Sequence, residues 1–87
     1  DMLRQIDRAE ASLKDLGFTQ VRVRHHGEVA RIEVDQADLG RLLERRAAVL
    51  EGVRHAGYTF VALDLEGYRT GNLNRTWKPT KEPRFTD

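Results

Sequence analysis

The sequence has 87 residues, with 15 Lys+Arg, 14 Asp+Glu, 39% apolar residues and no cysteine. That length holds one small domain with a thin core, burying only about 60% of the surface its unfolded chain exposes. A cysteine-free chain has no disulfide scaffold, no Cys-ligated zinc or iron–sulfur site and no thiol catalysis of its own, while a net charge of +1 gives no global reason to expect nucleic acid as a partner and no run approaches a membrane span.

The first predicted element is an amphipathic helix over residues 2–16. Met2, Ile6, Ala9, Leu13 and Leu16 recur at helical spacing on one face. Asp1 is the expected N-cap, Gly17 the expected C′ glycine, and Phe18 folds back on the last turn. Glu10 and Lys14 are an i, i+4 pair. Because the chain opens directly on this pattern without Met, it is expected to be a piece of something longer.

Residues 19–34 predict a β-hairpin turning at Gly27-Glu28. Val21 and Val23 alternate with Arg22 and Arg24, and Ala30, Ile32 and Val34 alternate with Val29, Arg31 and Glu33. Each strand therefore has one apolar and one charged face. Residues 36–56 predict a second helix, capped by Asp35 and ended by Gly57, with Leu39, Leu42, Leu43, Leu50 and Val53 as its stripe. Residues 58–65 predict a third strand, followed by a glycine-punctuated turn. Residues 75–87 hold both prolines and Trp77 without periodicity, and the stretch from Arg69 onward carries five basic and two acidic residues.

The expected fold is α+β: a two-layer sandwich of order α-β-β-α-β. Its three-stranded, mainly antiparallel sheet has strand order 2-1-3, with both helices on one face. The domain is expected to span residues 1–74, with an irregular basic tail over 75–87.

If the helices cover the Val21/Val23/Ile32/Leu63 face, the other face carries Arg22, Arg24, Arg31, Glu33 and Asp64, with His26 at its edge. Two readings are open. The face is solvated and laced by cross-strand ion pairs worth about 0.2–1 kcal/mol each. Alternatively it is an anion site, because arginines at i, i+2 project toward one point and grip phosphate or carboxylate bidentately. Glu33 and Asp64 then orient the guanidiniums or hold a hard cation such as Mg2+. His25 and His26 point to opposite faces and cannot chelate one ion together. His55 reads as a favourable charge at a helix C-terminus. Tyr58 and Phe60 read as packing residues. The stretch Gly67-x-x-x-Gly71 lacks the Lys-Ser/Thr of a P-loop. No reaction is identified by composition or spacing.

The strings GFTQVRVRHHGEVARIEV (17–34) and GYTFVALDLEGYRTGNLN (57–74) resemble the C-terminal domain of the PP-loop ATP-pyrophosphatase family. The characterised branch of that family is the ATP-dependent sacrificial sulfur transferases of nickel-pincer nucleotide cofactor biosynthesis. The chain departs from the family at Asn72-Leu73-Asn74, where a small residue followed by Met-Asn is usual, and at Arg41, where the family carries a carboxylate. The resemblance implies a longer, cytoplasmic, homo-oligomeric enzyme. Its own N-terminal PP-loop domain binds ATP and Mg2+ and adenylylates a carboxylate of a phosphorylated small-molecule substrate, a pyridinium dicarboxylate mononucleotide. A linker cysteine, or a cysteine-bound iron–sulfur cluster, supplies the sulfur chemistry. This piece is expected to be inert alone, with no catalytic residue inside it.

By the same resemblance, Arg22, Arg24, Arg31 and Arg69 bind the substrate or its phosphate, Glu33 and Asp64 are supporting carboxylates, and Glu10 is a metal ligand. The alternatives are a structural module that oligomerises the enzyme and, more weakly, an RNA-binding module acting through the basic tail and Trp77.

Overall fold

The computed structural model describes residues 1–68. Helix α1 runs Met2–Asp15, strand β1 Val21–His26, strand β2 Val29–Val34, helix α2 Leu39–Glu44, helix α3 Arg46–His55 and strand β3 Phe60–Leu63, with a short 3-10 turn at Gln36–Asp38 before α2. The expected residues Arg69, Asn72-Leu73-Asn74, Trp77 and the tail 75–87 lie outside the described residues. No helix among the described residues is long and apolar enough to cross a membrane.

The first helix forms as its sequence dictates. Asp1 caps it by accepting a hydrogen bond from the Arg4 N–H at 3.1 Å. At the other end Gly17 takes φ +102°, its N–H reaches Lys14 O at 2.9 Å and the Phe18 N–H reaches Leu13 O at 3.2 Å. This paired arrangement satisfies carbonyls that a helix end leaves open, and it turns Phe18 inward. Phe18 and Leu13 are fully buried with Ile32, Val34 and Val53 at the centre of the core. Each such side chain contributes about 1.5–3 kcal/mol through burial.

The sheet corrects the expected order. It runs β1-β2-β3, with β1 and β2 antiparallel and β2 and β3 parallel. It is therefore mixed, not mainly antiparallel, and β2 rather than β1 is central. Two physical reasons account for this. Strand β2 carries Ala30, Ile32 and Val34, all buried, so it gains most from a partner on both edges. The outer edge of β1 is already engaged by α1, because Glu10 accepts the Val23 N–H at 2.9 Å. Glu10 thus reaches β1 rather than pairing with Lys14.

The expected second helix, 36–56, is broken. Asp35 caps the 3-10 turn by accepting the Ala37 N–H at 3.0 Å, and α2 and α3 meet at Arg45, whose φ and ψ are −103° and 24°. The break falls in Glu44-Arg45-Arg46-Ala47, where all four residues are exposed and no packing holds the helix straight. Strand β3 is also shorter than expected. Tyr58 sits buried ahead of it, and Asp64 opens the turn that follows it. The face assignment holds: Val21, Val23 and Ile32 are buried under the helices, whereas Arg22 and Arg24 are exposed on the opposite face.

Candidate functional site

The open sheet face gathers five of the expected site residues. In the β1/β2 register Arg22 lies across from Glu33 and Arg24 across from Arg31, and Asp64 follows the end of β3 beside Arg31. Glu33 is the centre of the cluster. It is a charged residue only 8% exposed, and it divides its carboxylate between two arginines. Oε1 lies 3.2 Å from Arg24 Nε and Oε2 lies 3.2 Å from Arg31 Nη2. Burial of that carboxylate is tolerated because both oxygens meet cationic donors.

Asp64 does two jobs. Its Oδ1 accepts the Glu66 N–H at 2.9 Å, closing the turn after β3, while Oδ2 stands 3.8 Å from Arg31 Nε. That separation is too long for a hydrogen bond. Arg31 Nε is buried and has no acceptor within hydrogen-bond reach among the described residues.

Arg22 behaves differently. It turns away from Glu33, toward Tyr68. Its Nη2 donates to the Tyr68 hydroxyl at 3.5 Å, and its guanidinium carbon lies 5.4 Å from the ring centroid. Among the described residues, three arginines against two carboxylates leave this cluster with one positive charge in excess. Chemically this is a surface able to hold and orient an anion, with its guanidiniums pre-set by neighbours.

The other expected site residues lie elsewhere. Glu10 is on the far side of β1 from the arginines, held by the Val23 N–H. Among the described residues no group of three or more His, Cys, Asp or Glu is placed to hold a metal, around Glu10 or elsewhere. Arg41 caps the C-terminal end of α1. Its Nη2 donates to Gly17 O and to Asp38 Oδ1, each at 3.2 Å, and its guanidinium lies over the Phe18 ring at 4.2 Å.

His25 and His26 do diverge, as alternation requires. His26 is exposed, whereas His25 Nδ1 is 2.7 Å from the Tyr58 hydroxyl with the rings edge-on at 5.4 Å. Burial raises the Tyr58 pKa above its ordinary 10.0, and the nearby Glu10 charge raises it further. An apolar groove of about 190 Å³ between the second and third helices and β3, lined by Leu42, Leu43, Val49, Leu50, Val61 and Leu63, lies apart from the charged cluster.

Sequence reasoning missed Tyr68. The signal was the Gly67-Tyr68 step, whose glycine marks a backbone return toward β2.

No protein-family model matches the chain. Over 76 residues it is 41% identical to pyridinium-3,5-bisthiocarboxylic acid mononucleotide synthase of Lactiplantibacillus plantarum, a match covering 87% of this chain and 28% of that protein. Over 77 residues it is 36% identical to an uncharacterized protein of Synechocystis sp., covering 86% of this chain and 29% of that protein. The chain thus spans less than a third of the length of these curated relatives.

Proposed function

We propose that this chain is the substrate- and anion-binding domain that completes the active site of an ATP-utilising sulfur transferase of the PP-loop type. Its substrate is a pyridinium carboxylate mononucleotide, on the route to a nickel-pincer nucleotide cofactor. The observation that carries the reading is the 41% identity over 76 residues to a protein named for making a pyridinium bisthiocarboxylic acid mononucleotide. The charged face fits that chemistry. A pyridinium mononucleotide brings a phosphate and carboxylates, and guanidiniums match both in geometry and charge.

In this account the arginines hold and orient the anion, and the rest of the polypeptide supplies ATP, Mg2+ and the sulfur nucleophile. Adenylylation joins the substrate carboxylate oxygen to the α-phosphorus of ATP and releases pyrophosphate. Orientation by the arginines brings that carboxylate to the nucleotide and then to the sulfur. The chain adds no thiol of its own, since it contains no cysteine.

The test uses the full polypeptide that carries this chain. Arg22→Ala and Arg24→Ala are each expected to lower turnover per KM by about 10–100-fold, the loss of one charge-assisted contact, with native mass unchanged. Intact turnover with an altered native mass would instead assign the domain a purely assembling role.

A further inference from the structure

We propose that Tyr68 is a positioning residue for Arg22, and that this pair is the phosphate-receiving end of the charged face. The proposal rests on the anion-binding reading above. The three described arginines of the face are not equivalent. Arg24 and Arg31 share the buried Glu33 carboxylate at 3.2 Å each, so much of their charge is compensated. Arg22 has no carboxylate within 4.0 Å among the described residues, although the register places its Cα across from that of Glu33. It is held by a neutral hydroxyl and a ring face. Such a cradle fixes a guanidinium without cancelling its charge. The guanidinium has five N–H donors, and the contact with Tyr68 uses only part of that set.

The backbone fixes Tyr68 independently of its side chain. Its N–H donates to Val34 O at 2.6 Å, at the end of β2. Gly67 makes this approach possible. Its φ is +83°, and a Cβ there would stand 2.7 Å from Val34 O. The Tyr68 side chain belongs to no part of the apolar core, and it is only half-buried. Its side chain meets Arg22 through both the hydroxyl and the ring face. A side chain anchored by backbone at a strand end, outside the core, and turned against an uncompensated arginine is placed to orient that arginine.

The test follows the Nε–Hε resonances of Arg22 and Arg24 in this chain by NMR, with inorganic phosphate as the probe. In Tyr68→Leu the Arg22 resonance is expected to move before any phosphate is added, because the ring current is lost, while Arg24 stays in place. Phosphate then binds about fivefold more weakly, as expected for loss of a cation–π hold at an exposed site. Tyr68→Phe keeps the ring and loses only the 3.5 Å hydrogen bond, so it is expected to weaken binding by about twofold or less. It is the variant that decides if Tyr68→Leu does not fold: the Arg22 Nε–Hε is expected to show a nuclear Overhauser contact with the aromatic ring both in the unsubstituted chain and in Tyr68→Phe, and absence of that contact in both would overturn the proposal. Equal phosphate affinity in Tyr68→Leu and the unsubstituted chain would do the same. Phosphate shifts at Arg24 but not Arg22 would overturn this assignment and leave the anion reading standing. No shift at any arginine at millimolar phosphate would remove both.

Discussion

Replacing Glu33 by glutamine tests whether the buried carboxylate organises the charged face. Glutamine keeps the shape and one acceptor oxygen but removes the charge that two guanidiniums share. The Glu33 side chain is 11% exposed, whereas the Arg24 and Arg31 side chains are 45% and 41% exposed. Water can therefore recover the arginines, so each lost pair is worth a surface value, up to about 1 kcal/mol. The glutamine amide also presents donors to one guanidinium. Together these effects give a loss of about 1–2 kcal/mol. In a domain of this size about 1 kcal/mol lowers Tm by about 4–8 °C, so the variant is expected to melt about 5–15 °C lower. Thermal unfolding followed by circular dichroism at low and high salt is the assay, and the gap between the two proteins should narrow as salt rises. A drop of less than about 2 °C at low salt would refute the inference that Glu33 holds the face together.

Three further predictions follow from other parts of the fold. Because the folded-state pKa of Tyr58 is raised above 10.0, the folded chain holds that proton more tightly than the unfolded one. Its contribution to stability is then complete below the unfolded pKa and lost as pH rises through the folded pKa. Denaturant unfolding at pH 8 and 11 should show this loss, and Tyr58→Phe should reduce it. Gly52→Ala would place a Cβ 2.8 Å from Ser12 Oγ and 2.9 Å from Ser12 Cβ. This overpacks α1 against α3 and should cost about 1–3 kcal/mol despite the better helix former, measured by urea unfolding. Arg41→Glu reverses the charge at the C-terminal end of α1 and removes the Phe18 contact. It should cost about 1–2 kcal/mol by the same measurement.

Much of the local structure is legible in the sequence, because local signals have local causes. Asp1, Gly17 and Phe18 specify both ends of α1 through hydrogen bonds within a few residues. The alternation of Val21 and Val23 with Arg22 and Arg24 specifies which side chains share a face, since a strand has period two. Alternation says nothing about which strand lies beside which. The placement of β3 against β2 depends on Glu10 engaging the β1 edge and on the burial of Ala30, Ile32 and Val34, and these are tertiary facts. The interruption at Arg45 escaped for a related reason. The apolar spacing from Leu42 to Val49 suits one continuous helix, and only the exposed run between them permits a bend.

The site divides in the same way. Arg22, Arg24, Arg31 and Glu33 could be placed on one face from spacing alone. Their division into compensated and uncompensated arginines could not, because it depends on side-chain directions. Tyr68 enters only through the backbone return at Gly67, which brings residue 68 to the end of β2 across 34 residues of chain.

The most direct test of the central claim is an NMR titration of this chain with a pyridinium carboxylate mononucleotide, reading the arginine Nε–Hε resonances. Saturable shifts at Arg22, with smaller ones at Arg24 and Arg31, are the predicted result. Unmoved arginine resonances at millimolar ligand, both in this chain and in the full polypeptide that carries it, would contradict the assignment of the charged face as the anion-binding surface.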